Sequence, residues 1–240
     1  EAGSIEISLT AASTPIALDL DDDGVEYLSR DAGVVFTDEE TGESVNTAWV
    51  APEDGMLVYD ADGSGTVNET REYVFTEWSG KAETDMEAVR EVFDTNQDGV
   101  LDARDDSFEQ FAIWQDADSD GVTDEGELTP LTDLGVESIA LNYREGSEAR
   151  EAADGDVKIF GQSEVTWEDG EVTIAEDTSF AINVADLIPE ADSSVGIDAY
   201  LQASFDGANT VVQVSKAGAF SGDVSSAAQV DHTITFEGVD

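Results

Sequence analysis

The stretch from Asp94 to Glu127 reads D-T-N-Q-D-G-V-L-D-A-R-D at residues 94–105 and, after a ten-residue spacer, D-A-D-S-D-G-V-T-D-E-G-E at residues 116–127. Laid on the twelve-residue EF-hand loop, the second copy puts Asp116, Asp118, Asp120 and Asp124 at positions 1, 3, 5 and 9, Gly121 at position 6 and Glu127 at position 12. A hard cation such as Ca2+ takes about six to eight oxygens; alternate carboxylates on a coiled backbone supply them, the glycine allows the sharp turn and the last acid closes the shell. The first copy fills the same positions with Asp94, Asn96, Asp98, Gly99 and Asp102 but ends in Asp105, whose shorter side chain is expected to close the site differently. An acidic loop in solvent is the alternative for either copy. Two such loops in tandem, each preceded by a helix-like run, favour calcium.

The composition sharpens that reading. Of 240 residues 57 are Asp or Glu and 9 are Lys or Arg, a net charge of -48, while 40% are hydrophobic, enough to build a core. Such a charge repels itself in the compact state, so bound cations are expected to be a condition of folding. Nucleic acid is excluded as a partner, and so is an anionic membrane surface, because both need a basic face. No apolar run reaches membrane-spanning length, so no membrane insertion is expected. With no cysteine there are neither disulfides nor thiolate metal sites. Beginning at Glu1 and ending in T-I-T-F-E-G-V-D, the chain is expected to be a segment of a longer one.

Upstream, two further loops are incomplete. I-A-L-D-L-D-D-D-G-V-E supplies Asp19, Asp21, Asp23 and Gly24 but has Arg30 at position 12, so Glu26 and more distant residues are expected to complete the site. The other supplies Asp60, Asp62, Ser64, Gly65 and Asn68, again with an arginine, Arg71, at position 12; closure is expected from Glu72 or Glu69.

The rest of the chain reads as short elements. S-I-E-I-S-L at 4–9 alternates as a strand, and G-V-V-F-T and N-T-A-W-V flank D-E-E-T-G-E as a hairpin. Thr84 is positioned to cap a helix over D-M-E-A-V-R-E-V-F, with Met86, Val89 and Phe93 on one face. Ser107 is read as capping a second helix over F-E-Q-F-A-I-W, whose Phe108, Phe111 and Trp114 are expected in the core. Pro130 to Leu134 reads as a short helix stopped at Gly135, followed by the strand E-S-I-A-L-N-Y. After the polar run from Arg144 to Gly155, strand-like runs V-K-I-F, S-E-V-T-W, V-T-I-A, A-Y-L-Q-A-S-F, T-V-V-Q-V and H-T-I-T-F suggest a β-sandwich. His232, the one histidine, is expected to be a strand residue rather than a catalytic one.

With these residues in view, the region from Pro15 to about Phe180 resembles a module of RTX (repeats-in-toxin) proteins, through P-I-A-L-D-L-D-x-D-G-V-E, A-W-V-A-P-E-D-G-M-L-V-Y-D-A-D-G-S-G, V-F-D-T-N-Q-D-G-V-L-D, W-Q-D-A-D-S-D-G-V-T-D-E-G-E-L and L-G-V-E-S-I-A-L. Two relatives share the pattern: a calcium-dependent self-processing module and the peptide-binding domain of giant bacterial adhesins secreted by type I machinery. G-V-V-F-T-D, R-E-Y-V-F-T-E-W and D-M-E-A-V are closer to the adhesin domain. The self-processing relative cleaves an Asp-Pro bond where this chain has Thr14-Pro15, and the other prolines follow Ala51, Thr129 and Ile188. Threonine has no carboxylate to attack the peptide carbonyl, so no enzymatic activity is expected.

The resemblance implies an extracellular, surface-attached adhesin involved in cell adhesion and biofilm formation. Its Ca2+ ions would dock the free carboxy-terminal end of a peptide or protein ligand on another cell surface, and its other partners would be neighbouring modules of the same long chain. The incompletely closed loops at Asp19 and Asp60 are the expected docking points, with Tyr27, Trp49, Tyr59 and Trp78 near them as candidate ligand contacts. A calcium-stiffened structural extender is the second reading. The expected fold is α+β: a β-rich calcium module with EF-hand or dockerin-like helix-loop elements plus a β-sandwich. The expected domains are a strand within 1–14, the calcium-dependent module at 15–182 and a β-rich module at 183–240.

Overall fold

The computed structural model describes residues 14–181 and three later strands. The chain divides into two compact units, Ala12–Ile182 and a second made of Glu1–Ala11 with Asn183–Asp240. The expected strand at 4–9 lies outside the described residues.

In the first unit, strands β1 (Ile16–Leu18), β2 (Tyr27–Leu28), β3 (Val35–Thr37), β4 (Ser44–Asn46), β5 (Trp49–Val50) and β6 (Gly55–Tyr59) precede helix α1 (Asp85–Val92). Strands β7 (Val100–Asp102), β8 (Phe111–Trp114) and β9 (Leu128–Pro130) follow, then helix α2 (Leu131–Leu134) and strands β10 (Val136–Ala140), β11 (Arg150–Ala152), β12 (Val157–Trp167) and β13 (Val172–Phe180). A curled nine-stranded sheet runs β7-β10-β12-β13-β1-β6-β8-β9, with β11 added to β12. Its pairings are antiparallel.

Alternate residues of the central strands enter two separate cores. Ile16 and Leu18 of β1, Leu57 of β6 and Phe111 and Ile113 of β8 face a cluster completed by Phe75, Met86, Val89 and Phe93. Ala17, Met56, Val58 and Trp114 face the other way, onto Phe36, Trp49 and Tyr73. Successive side chains of a strand point to opposite faces, so strands covered on both sides must be apolar without alternation. I-A-L, M-L-V and F-A-I-W have that composition.

This double burial corrects one expectation. F-A-I-W is not helical: after a single 3-10 turn at Phe108–Gln110, with no side-chain cap from Ser107, the chain becomes β8 between β6 and β9. A helix buries one stripe, whereas all four of these residues are buried. The Asp116 loop therefore joins two strands, and the Asp94 loop joins α1 to β7. Among the described residues neither loop lies between two helices, so no EF-hand or dockerin-like helix-loop element is seen there.

The expected helix does form over Asp85–Val92, with the Thr84 hydroxyl accepting from Glu87 N. The β3–β4 hairpin forms with Ser44–Asn46 as its second strand, while Trp49 and Val50 pair with β2 instead, and Gly135 ends α2 at φ 78°. V-K-I-F, S-E-V-T-W and V-T-I-A form the long β12–β13 hairpin in the middle of the large sheet, beside β1, rather than a sandwich. In the second unit β14 (Leu201–Phe205), β15 (Asn209–Val214) and β16 (His232–Glu237) form a three-stranded antiparallel sheet. His232 opens β16 opposite Val214, as a strand residue.

Candidate metal centres

Four groups of three acids, each offering a carboxylate oxygen within 4.8 Å of the others, occur among the described residues: Asp116, Asp118 and Glu127; Asp60, Asp62 and Glu72; Asp19, Asp21 and Asp54; and Asp21, Asp23 and Glu26.

In the Asp116 loop, Asp116 is buried and accepts from Asp120 N (3.2 Å), Gly121 N (2.9 Å) and Trp49 Nε1 (2.8 Å). Glu127 reaches back to Ala117 N and Asp124 N, both at 2.9 Å, and so closes the loop as its position predicts. Asp120 accepts from Val122 N. Burial pushes Asp116 above the ordinary carboxylate range, against the pull of its donors. Asp118 is raised as well, by desolvation and then by Asp120, Glu127 and Asp124. Gly121 has φ 78°, and a Cβ there would lie 2.6 Å from the Val35 carbonyl oxygen, so both turn and packing require glycine.

The Asp60 loop closes through Glu72, not Glu69. Glu72 is buried and accepts from Asn68 N (2.9 Å) and Glu69 N (3.1 Å), whereas Glu69 is paired with Arg71 at 2.5 Å. Asp60 accepts from Ser64 N and Gly65 N, both at 3.0 Å, and Asp62 accepts from Ser64 N. Burial raises Glu72, while the Ser64 donors hold Asp62 low. A cleft of about 320 Å³ opens beside this loop, lined by Asp60, Gly63 and Gly65 together with Glu109, Gln110, Phe111, Leu128 and Pro130.

The Asp19 site recruits a residue that its local sequence did not name. Asp54, from the turn before β6, is fully buried and accepts from Leu20 N (3.1 Å) and Glu26 N (2.7 Å). Its carboxylate lies with those of Asp19 and Asp21, as expected of a site completed from a distance. Burial raises Asp54, and raises Glu26 together with the hydrogen bond to Asp54. Asp23 is pushed up to about 6, first by its hydrogen bond with Asp21. The only local cue to Asp54 was its place before Gly55, in a turn.

The Asp94 loop makes similar turn hydrogen bonds, and an arginine pairs with two of its acids. Asp94 accepts from Asp98 N (3.1 Å) and Gly99 N (2.9 Å), Asn96 accepts from Asp98 N, and Asp105 accepts from Thr95 N and Asp102 N. Between them Arg104 bridges Asp98 (2.7 Å) and Asp102 (2.6 Å), and its hydrogen bonds hold Asp102 below its usual range.

The four candidate aromatic contacts are occupied with packing. Trp49 is fully buried and so does not line an open pocket. Tyr27 donates to Glu176 (2.8 Å) and Trp78 to Arg71 O (2.7 Å), while Tyr59 packs against Trp78, Phe93 and Phe111.

The family profile of the SPM domain matches residues 16–181, the bulk of the first unit and every one of these loops. The chain belongs to the SPM domain family. A relative of this SPM domain is the iron-regulated protein FrpA of Neisseria meningitidis serogroup C, 34% identical over 137 residues, which is 55% of this chain and 12% of FrpA. The chain thus spans about an eighth of the length of that relative.

The donor set of the SPM domain fits a hard cation. Its converging groups are oxygens, with no sulfur in reach because the chain has no cysteine. Asn68 Oδ1, at position 9 of the Asp60 loop, is buried without a hydrogen-bond partner, a costly state that a cation would relieve. Carboxylates gathered this closely repel one another until a cation stands between them.

Proposed function

We propose that this SPM domain is a calcium-dependent ligand-binding module of a large secreted bacterial adhesin, docking the carboxy-terminal end of a peptide or protein on another cell surface. The observation that carries the reading is the position of Asp60, which belongs both to a converging acid group and to the wall of the 320 Å³ cleft.

Asp60, Asp62, Glu72 and Asn68 would hold one Ca2+ ion; Asp116, Asp118, Asp120, Asp124 and Glu127 a second; Asp19, Asp21 and Asp54, with Asp23 and Glu26, further ions. When bound, the ion supplies local positive charge on a surface whose net charge otherwise repels an anionic ligand. Asp60 N donates to Gln110 O at 3.1 Å, which fixes the loop against the turn leading into β8. Gly63 and Gly65 project no side chain into the cleft, leaving room for a ligand terminus. Phe111, Ala112, Leu128 and Pro130 contribute apolar lining for the last side chains of that ligand.

No catalytic step is assigned. Thr14 Oγ1 donates to the buried Asp85 at 2.6 Å and carries no carboxylate with which to open the bond to Pro15.

Capture of a carboxy-terminal peptide library, with millimolar Ca2+ or excess chelator and with free or amidated ends, tests the reading. Capture that requires both calcium and the free carboxylate, and that is lost in Asp60→Asn, is expected. Capture indifferent to amidation would overturn it.

A further inference from the structure

The loops that begin at Asp60 and Asp116 are joined directly. Val67 N donates to Thr123 Oγ1 at 2.9 Å, across 56 positions of sequence. Val67 and Thr123 hold equivalent places, each immediately before the residue at position 9, Asn68 in one loop and Asp124 in the other. Val67 is 4% exposed, so no water stands ready to replace the hydroxyl. The β3–β4 hairpin braces the same junction: Glu39 N donates to Asn68 O (2.8 Å), Thr70 N to Asp38 Oδ2 (2.7 Å), and Gly121 packs under the Val35 carbonyl. The Asp94 loop, next to Asp116 in sequence, is bonded elsewhere, through Leu141 N to Gly99 O at 2.9 Å.

We infer that the Asp60 and Asp116 loops form a coupled pair, in which an ion bound in one loop raises the affinity of the other through the Thr123 to Val67 hydrogen bond. The inference rests on the calcium reading given above and adds to it the regulation of the ligand-facing site. An ion that gathers its ligands fixes the backbone around position 9. The hydrogen bond there needs both loops in place, so ordering one loop lowers the entropy cost of ordering the other. The fully ligated Asp116 loop would thereby keep the Asp60 loop, with its exposed Asp62 and its cleft, ready to take a ligand.

Calorimetric calcium titrations of the whole chain as wild type, Asp60→Ala, Thr123→Val and the double variant test the coupling, with Thr123→Ser as the control that keeps the hydroxyl. In the wild-type background Asp60→Ala is expected to weaken the tightest remaining site by roughly five-fold or more, the lower range of measured couplings. In the Thr123→Val background it is expected to change that site by less than about two-fold, while Thr123→Ser behaves as wild type. An equal effect of Asp60→Ala in both backgrounds, or no effect in either, would overturn the coupling through Thr123 and leave the calcium reading intact. Absence of calcium binding to the wild type would overturn both.

Discussion

Trp49 Nε1 donates to Asp116 Oδ2 at 2.8 Å, and neither group reaches solvent to any extent. The indole belongs to the aromatic core with Phe36, Tyr73 and Trp114, stacked on Phe36 and edge-on to Trp114, so this bond ties a loop carboxylate to the hydrophobic interior. A group that orients a ligand in this way typically contributes about ten-fold or more to metal affinity. Trp49→Phe keeps the packing and removes the donor. It is expected to weaken calcium binding at the Asp116 loop by roughly ten-fold with the fold retained, measured by chelator competition.

Gly121 carries two constraints and Gly63 only one. Both have positive φ, 78° and 70°, but a Cβ at residue 121 would meet the Val35 carbonyl at 2.6 Å whereas residue 63 faces open space. Gly121→Ala is expected to cost at least about 2 kcal/mol more than Gly63→Ala in urea denaturation with calcium present.

Asp85 is a buried acid outside the candidate metal centres. It accepts from Thr14 Oγ1 (2.6 Å), Phe75 N (2.8 Å) and Thr76 N (2.7 Å), yet burial pushes it up to about 8. Asp85→Ala would strand two backbone donors and is expected to cost roughly 2–5 kcal/mol.

The same burial sets a pH dependence. Asp85 is raised to about 8 and Asp177 to about 6, in both cases by burial first, so between pH 4 and those values the folded chain holds protons that the unfolded chain has lost. Stability therefore falls as pH rises through that window. In excess chelator the melting temperature is expected to be higher at pH 5 than at pH 8. Saturating calcium is expected to oppose that trend, because its carboxylate ligands must be ionised.

Local chemistry was legible in the sequence where it depends on neighbours in the chain. Thr84 caps α1, Gly135 stops α2, and the alternation of D-x-D-x-D-G brings together the first two acids of each of the Asp19, Asp60 and Asp116 loops, because capping and loop geometry span only a few residues. F-A-I-W was misread because apolar periodicity cannot separate a strand buried on both faces from a buried helix. Asp54 is not legible locally because it reaches the Asp19 loop through strand pairing of β1 with β6, and the sequence does not separate Glu72 from Glu69, which Arg71 neutralises in the fold. The link from Val67 to Thr123 spans 56 positions, and no local pattern encodes it.

Asp54 offers a direct check on that long-range assembly. Leu20 N and Glu26 N meet different oxygens of Asp54, so Asp54→Asn keeps an acceptor for only one of them and removes a charged group. It is expected to lower the number of bound calcium ions by one while leaving the Asp116 loop filled, as counted by equilibrium dialysis.

The central claim is that a cation in the Asp60 loop presents an open coordination position to the neighbouring cleft. A crystal structure of the calcium-loaded chain with a free-carboxylate peptide, the ions located by anomalous scattering, measures this directly. The account predicts an ion held by Asp60, Asp62, Glu72 and Asn68 with a peptide carboxylate oxygen completing its shell on the cleft side. An ion there enclosed by protein oxygens alone, or a peptide bound away from any ion, would contradict it.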